Sequence, residues 1–274
     1  MSPLDEVGEE ARNWNTKALP QRVVVDVFAA ACAGGLVAPL ITMIDKGIIE
    51  NASGKATLKD SIVGSLKTLL LRPHKFIFSK PFFLIYSVYG GTYIMANTVD
   101  TTLSTIKSKP ASTTTHGTAK FIGTSTSNLG LSIWKDAHLT KLFSTSAPGR
   151  IPGPTYALFA LRDSFTIFAS FNLPAVIAPH IRTEFLPSFM KKMNKQSIAQ
   201  FLAPAAIQVL STPVHLLGLD MYNRKNLSLA ERFKLVRTAF FPSWMARICR
   251  IVPAFGVGGV VNTSVRSKLM RRFE

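Results

Sequence analysis

The side chains best able to do chemistry are charged residues that interrupt otherwise apolar stretches. Arg162 and Asp163 interrupt one such stretch, and Arg250 interrupts another. An ionisable residue near the centre of a bilayer costs about 2.5–3.5 kcal/mol on insertion scales, so it normally faces a partner or a water-filled cavity. An arginine fork can hold a carboxylate through two hydrogen bonds. These residues are therefore candidates for binding a carboxylate in such a cavity.

A packing role for the same residues stays open. Arg162 and Asp163 are adjacent, so on a helix they point about 100° apart and are not expected to pair directly. Each would then bind a carbonyl or a partner on another helix. His215 is expected to be a hydrogen-bonded contact between helices more often than a ligand. We expect Lys135 and Asp136 to mark the water boundary of their helix.

No catalytic constellation is visible. The five histidines lack the spacing of a metal site, and there is no nucleophile elbow or phosphate-binding loop. The glycine groups lie inside apolar stretches, where small residues let membrane helices approach one another closely. We therefore expect neither an enzyme nor a bound cofactor or metal.

The composition favours a membrane protein. Of 274 residues, 47% are hydrophobic and only 17% are charged, below the roughly 25% that is usual in soluble chains. The charge is lopsided, with 32 Lys+Arg against 15 Asp+Glu. The basic residues stand in short scattered groups and form no stripe with stacking aromatics, so we expect no nucleic-acid partner. The lipid bilayer is the expected partner.

Windows without charge predict where the chain crosses the membrane. A bilayer core needs about 20 mostly apolar helical residues. Six windows are candidates, of which the third and sixth are the weakest. They are residues 27–44, 81–99, 121–134, 164–181 (extended back to 156 if Arg162 and Asp163 are tolerated inside), 196–219 and 251–265.

Local signals between the windows suggest a repeat. Thr57 with Asp60, and Ser228 with Glu231, have the spacing of capping boxes that open short amphipathic helices. These two signals stand 171 positions apart. Pro39 and Pro213, each predicted to kink a helix, stand 174 positions apart. Half of that step fits a unit of two spans and one surface helix.

Particular residues make this sequence resemble the mitochondrial carrier family. The segment Arg247-Ile-Cys-Arg250-Ile-Val-Pro253 looks like the entry to a carrier's last helix, and 161–171 looks like the fourth helix. The resemblance implies an all-α membrane protein with six transmembrane helices, arranged as three two-helix repeats with pseudo-threefold symmetry, plus short amphipathic surface helices. Residues 1–20 would be a polar N-terminal segment. Residues 21–274 would be one transmembrane domain with repeats of about 21–110, 111–190 and 191–274.

The resemblance also implies roles for single residues. Arg162 and Asp163 fall on the second substrate-contact position of a carrier, Arg250 falls on the third, and Ser87 is nearest to the first. Four residues fall where the odd-numbered helices kink and close, and only the second of them keeps a gating charge. They are Pro39, Asp136, Pro213 and His215. The implied location is the mitochondrial inner membrane, with the outer membrane as an alternative.

Two functions fit these observations. The first is a multi-pass carrier that moves a small carboxylate or amino-acid-like metabolite by alternating access. The second is a non-transporting scaffold, assembly factor or subunit of a membrane complex, with protein partners, because most of the gating charges of a carrier are missing.

Overall fold

The structure is a computed structural model. It describes residues 14–115, 117–145, 150–171, 173–182, 184, 195–224, 227–251, 253 and 257–274. Within these ranges the regular secondary structure is helical. This agrees with the all-α prediction.

The first half of the chain forms four helices whose ends follow from local sequence. Helix α1 spans Leu19–Ser53, starts with a proline in its first turn and ends at Gly54, where φ is 77°. Such a positive φ favours glycine because it has no Cβ. Helix α2 spans Leu58–Leu71, and the Thr57 side chain accepts a hydrogen bond from the Asp60 amide at 3.2 Å. Helices α3 and α4 span Pro73–Ile77 and Lys80–Ile106.

Seven further helices follow in the described ranges, and one of them is only five residues long. In chain order they are α5 (Thr118–Phe143), α6 (Gly153–Phe171), α7 (Leu173–Ile177), α8 (Lys195–Ala206), α9 (Gln208–Asn223), α10 (Leu229–Cys249) and α11 (Gly258–Met270). Single 3₁₀ turns span Ala178–His180 and Arg271–Phe273. The Ser228–Glu231 capping box that opens α10 is present in both directions. The prediction from that motif is confirmed.

Two boundaries differ from expectation. The apolar window 196–219 is divided at Ile207 into α8 and α9, with Pro204 inside α8. The side-chain amide of Gln208 donates to the Pro204 carbonyl at 2.9 Å. Arg247 was expected at the entry to the last helix, but it lies in the last turn of α10. Helix α10 instead runs without interruption through Pro242, because a proline removes one backbone donor but does not always end a helix.

Helix α1 lies at the centre of the packing. It contacts α2, α4, α5, α9, α10 and α11. Its backbone approaches that of α4 closely, because a Cβ added at Gly34 would lie 3.1 Å from the backbone nitrogen of Gly90. Pro39 lies inside α1 and Pro213 inside α9. The main apolar core joins α1 to four neighbouring helices through residues that include Ile41, Ile85, Leu139, Phe159 and Leu219.

Helix α1 is the one helix in the described ranges that is long and apolar enough to cross a membrane by length and composition. The other predicted windows are largely helical within those ranges but do not reach that standard. The all-helical architecture is therefore shown, whereas six membrane crossings are not.

Candidate functional site

Six charged side chains from distant parts of the sequence meet inside the helices, and we call them the charge cluster. Helix α1 contributes one, α5 and α6 contribute two each, and the sixth directly follows α10. The members are Asp45, Lys135, Asp136, Arg162, Asp163 and Arg250. The first five are buried, and the side chain of Arg250 is 17% exposed.

The cluster is a continuous chain of ion pairs. Asp45 has a different cation on each oxygen: Arg250 Nη1 at 2.6 Å and Lys135 Nζ at 2.7 Å. Lys135 also reaches Asp136 at 2.7 Å, and the second oxygen of Asp136 lies 2.7 Å from Arg162 Nη2. A buried charge is tolerated when a partner and hydrogen bonds compensate it. The chain of pairs therefore ties α1, α5, α6 and the end of α10 together at one level.

The contacts of Arg162 correct one expectation and agree with another. The guanidinium of Arg162 pairs directly with Asp163, although the two residues are neighbours on α6. The two Cβ atoms point in different directions, but the long side chain of Arg162 folds back far enough for its terminal nitrogen to reach the Asp163 carboxylate. Arg162 Nη1 also lies 3.1 Å from Nδ1 of His215 on α9. His215 thus makes a hydrogen-bonded contact between helices, the alternative that its sequence position favoured.

The cluster forms one wall of a cavity of about 170 Å³. Three charged groups face this cavity: Lys135, Asp163 and Arg250. The remaining polar wall is uncharged and comes from α4, α5, α6 and α9. It consists of Tyr89, Thr92, Tyr93, Asn128, Ser132, Thr166 and Gln208.

A larger groove of about 530 Å³ lies at the surface between α3, α4 and α5. Its wall includes the exposed side chains of Ile77, Phe78 and Phe83. We place the candidate site in the smaller cavity, because that is where the buried charges converge.

The geometry separates the predicted site residues into three groups. Asp163 and Arg250 face the cavity, whereas Arg162 lies behind the wall with 1% of its surface exposed. Asp136 and His215, proposed for closure, both contact Arg162. Ser87 is half-buried on α4 and is not part of the cavity wall. Pro39 and Pro213 lie inside α1 and α9 and also do not line the cavity.

Sequence reasoning missed Asp45 and misplaced Lys135. Asp45 only ended an apolar window, and Lys135 with Asp136 was expected at a water boundary. The structure buries all three in the charge cluster. The available signal was the chemistry of the residues themselves, because acids and bases at the ends of several apolar windows can pair when the windows pack side by side.

Asp163 has one oxygen that is not used by the cluster. Its Oδ1 pairs with Arg162, whereas Oδ2 is buried and has no hydrogen-bond partner in the described part of the chain. Buried polar atoms are normally satisfied, so an unused carboxylate oxygen in a cavity wall points to a ligand or a proton. This oxygen is the least satisfied acceptor among the charged groups that face the cavity.

Arg247 supports Gln208, a residue of the cavity wall. It is 1% exposed, and its Nε donates to Gln208 Oε1 at 2.9 Å. Its Nη2 lies 3.4 Å from Ser211 Oγ, and no carboxylate lies within 4 Å of it among the described residues. Gln208 is therefore held in one orientation by a charged neighbour, which makes Arg247 a positioning residue for the cavity wall.

A second group of buried polar side chains lies further along α1, and we call it the second polar layer. Asp26 pairs with Arg266 at 2.7 Å and accepts a hydrogen bond from Thr101 at 2.5 Å. Asn97 and Asn262 donate to each other at 2.9 and 2.8 Å. On one continuous helix Asp26 and Asp45 are about 29 Å apart at about 1.5 Å per residue. The two layers thus bracket the apolar part of α1.

Comparison with known proteins decides the family. Residues 29–270 match the family described as probable citrulline exporter. The chain belongs to this family of probable exporters. The match covers every member of the charge cluster and the whole cavity wall. No curated protein matches the chain.

Membership of the probable citrulline exporter family corrects the sequence-based assignment. The match is not to the mitochondrial carrier family, so that assignment was wrong. Its quoted motifs were short combinations of arginine, proline and small residues, which suit many membrane helices. The three-repeat plan and the mitochondrial location rested on that resemblance and have no support from the match. An exporter family is a membrane transport family, which favours the transport hypothesis over the scaffold hypothesis.

Proposed function

We propose that this chain exports citrulline, or a closely related zwitterionic amino acid, across a membrane. The observation that carries the proposal is the placement of Asp163 and Arg250 on the wall of the same small cavity. An amino acid carries an ammonium and a carboxylate group. A carboxylate can accept from the ammonium, and a guanidinium can donate two hydrogen bonds to the carboxylate. The cavity supplies both partners.

The uncharged wall suits a neutral side chain. Citrulline ends in a ureido group, which donates and accepts hydrogen bonds but has no charge. Tyr89, Asn128 and Ser132 offer hydroxyl and amide groups to such a side chain. Arginine has a similar shape but would bring a guanidinium towards Lys135 and Arg250, and like charges in a poorly hydrated cavity repel strongly. The site should therefore prefer citrulline to arginine.

We further propose that residues 21–274 form one transmembrane domain with six crossings. They would be α1, α4, α5, α6, the pair α8–α9, and the segment that ends in α11. Support comes from the charges in the middle of α5 and α6, because Lys135 and Asp136 on α5 and Arg162 on α6 are buried and paired with one another. Helices that carry buried charge are tolerated in a bilayer when the charge faces a partner or a cavity.

The two polar layers provide a basis for alternating access. The charge cluster ties α1 to α5, α6 and the end of α10, whereas the second polar layer ties α1 to α4 and α11. Opening at the cluster end would separate Arg250 from Asp45, and the substrate carboxylate could then replace Asp45 as the partner of Arg250. A ligand shifts a conformational equilibrium only through such differences in binding.

Counterflow in proteoliposomes tests the function directly. Vesicles loaded with unlabelled citrulline should accumulate external labelled citrulline, and arginine should compete weakly. Arg250→Gln should reduce this exchange at least tenfold. Arg271→Gln, which removes an exposed arginine near the C-terminus, is the matched control and should leave exchange unchanged. Folded, monodisperse protein without citrulline counterflow would contradict the proposal.

A further inference from the structure

We propose that Asp163 is also a proton site and that a proton and the substrate ammonium compete for it. The inference rests on the proposed function and adds a coupling ion to it. One cycle would carry the amino acid out on the ionised carboxylate and return with the carboxyl group protonated. The exporter would thus be a proton–amino acid antiporter.

The unused oxygen of Asp163 makes such competition possible. Asp163 belongs to the cavity wall, and its Oδ2 is buried without a hydrogen-bond partner in the described ranges, so this oxygen can take up a proton without breaking any contact. Its other oxygen is paired with Arg162. A substrate ammonium that binds at the cavity side would occupy the same oxygen. One group that can hold either ligand, but not both, enforces exchange.

Arg162 is arranged to tolerate either state of Asp163. When Asp163 is neutral, Arg162 keeps Asp136 as its counterion at 2.7 Å. Its other nitrogen keeps the contact with His215 at 3.1 Å. A buried guanidinium that lost its last carboxylate would be costly. Two carboxylates share this arginine, so one of them can titrate during the cycle.

The charged surroundings of Asp163 come from every helix that packs near it. Helix α7 has no titratable residue, and α8 contributes only Lys195 in its exposed first turn. The other groups are Asp45 on α1, Tyr89 and Tyr93 on α4, Lys135 and Asp136 on α5, Arg162 on α6, His215 on α9, Arg247 on α10 and Arg250 after it. Asp45, Lys135 and Asp136 each have two ionic partners. Within the described ranges, Asp163 is the cluster carboxylate with an oxygen that has neither an ion pair nor a hydrogen bond.

Charge balance makes the antiport electrogenic. The zwitterion leaves with no net charge while one proton enters, so each cycle moves one positive charge inward. An inward proton gradient and a membrane potential that is negative inside should each drive citrulline out against its own gradient. Transport without a coupling ion would respond to neither.

Binding and transport on the wild-type protein decide the question. In weak buffer, citrulline binding should release up to one proton per site. Once the pH is low enough to protonate Asp163, the apparent affinity for citrulline should fall about tenfold for each further unit by which the pH decreases. In vesicles, counterflow should occur without a proton gradient, and net export against the citrulline gradient should require a proton gradient or a potential. Counterflow without any response to either gradient leaves the proposed function standing and overturns the proton site. Absence of counterflow overturns both.

Variants of single carboxylates test which residue binds the proton. Asp163→Asn should bind citrulline weakly and without pH dependence, and should release no proton. Asp100→Asn is the matched control, because Asp100 is a buried carboxylate that is already paired with Lys120 at 2.7 Å and bonded to Thr115. This variant should keep the pH dependence of the wild type. A wild-type pH profile in Asp163→Asn overturns the assignment.

If Asp163→Asn no longer binds citrulline, the variant Asp163→Glu tests whether residue 163 takes up the proton. It keeps a carboxylate but moves the carboxylate by one methylene group. Proton release should persist with a displaced midpoint on the pH axis. An unchanged midpoint would show that another group takes up the proton.

Discussion

Asp45 and Arg250 are 205 positions apart in the chain, yet their side chains form an ion pair of 2.6 Å. The pair joins the middle helix of the packing to the residue that follows α10. Lys135 holds the other oxygen of Asp45, so one carboxylate balances two cations. Nothing in the local sequence around either residue requires this contact. In the transport cycle that we propose, opening at this end would break the Asp45–Arg250 ion pair.

Removal of the Asp45 charge should destabilise the closed form. Asp45→Asn leaves Lys135 and Arg250 without one partner each, and breaking a buried ion pair in this way costs about 3–5 kcal/mol. Unfolding in detergent should therefore begin at a clearly lower temperature or denaturant concentration. Glu184→Gln, at an exposed position, should stay within about 0.5 kcal/mol of the wild type. The double variant Asp45→Asn/Arg250→Gln should lose less than the two single losses added together. Strict additivity would show that the ion pair contributes nothing.

The close packing of α1 on α4 depends on the small size of Gly34. An alanine Cβ there would lie 3.1–3.2 Å from the backbone of Gly90, and a backbone cannot move aside as a side chain can. Gly34→Ala should therefore destabilise the protein by about 1–3 kcal/mol. Gly35→Ala is the adjacent control, because its new Cβ would meet only Tyr86 at 4.0 Å. We expect it to be neutral or slightly stabilising, since alanine favours helices over glycine. Equal thermal unfolding curves for the two variants would contradict the close approach.

The Asn97–Asn262 pair should behave as one coupled unit. Each amide donates to the other, at 2.9 and 2.8 Å, across the interface of α4 and α11. Hydrogen bonds between membrane helices contribute about 0.6 kcal/mol on average and up to about 1.7 kcal/mol. A double-mutant cycle with alanine at both positions should give a coupling energy in this range. A coupling energy of zero would mean that the two amides do not interact in the membrane.

The capping box of α10 predicts a pH effect at the surface. Hydrogen bonds from the Ser228 side chain and backbone lower the pKa of Glu231 below its ordinary value. A carboxylate whose pKa is lowered by folding stabilises the folded form above its unfolded pKa, and this contribution is lost as the pH falls through the folded pKa. Ser228→Ala should raise the pKa of Glu231 and fray the first turn of α10. Titration of the side-chain carboxyl by NMR measures the change.

Glu274 is the internal control for that titration. Hydrogen bonds from Ser112 lower the pKa of its carboxyl, independently of α10. Its midpoint should not move in Ser228→Ala. A shift of both carboxyls would indicate a general change in the protein and not loss of the cap.

The local features follow from the amino-acid order alone. The predicted caps at Thr57 and Ser228 open α2 and α10, because a cap depends on residues within three positions of each other. The helical character of the apolar windows followed from composition and length in the same way. The split of α8 from α9 at Ile207 and the unbroken passage of α10 through Pro242 were both missed, because a proline in an apolar stretch can either end a helix or lie inside one.

Only part of the candidate site could be predicted from the amino-acid sequence. Charge inside apolar stretches singled out Arg162, Asp163 and Arg250, since burial of an unpaired charge is costly wherever the chain places it. Which of them faces the cavity depends on the orientation of each helix about its own axis in the packed structure. In that packing Asp163 and Arg250 line the cavity, and Arg162 lies behind its wall. Asp45 belongs to the site because Lys135 on α5 and Arg250 after α10 form ion pairs with its two oxygens. The residues next to Asp45 in the sequence do not indicate these long-range ion pairs, so only the packing of the helices identifies them.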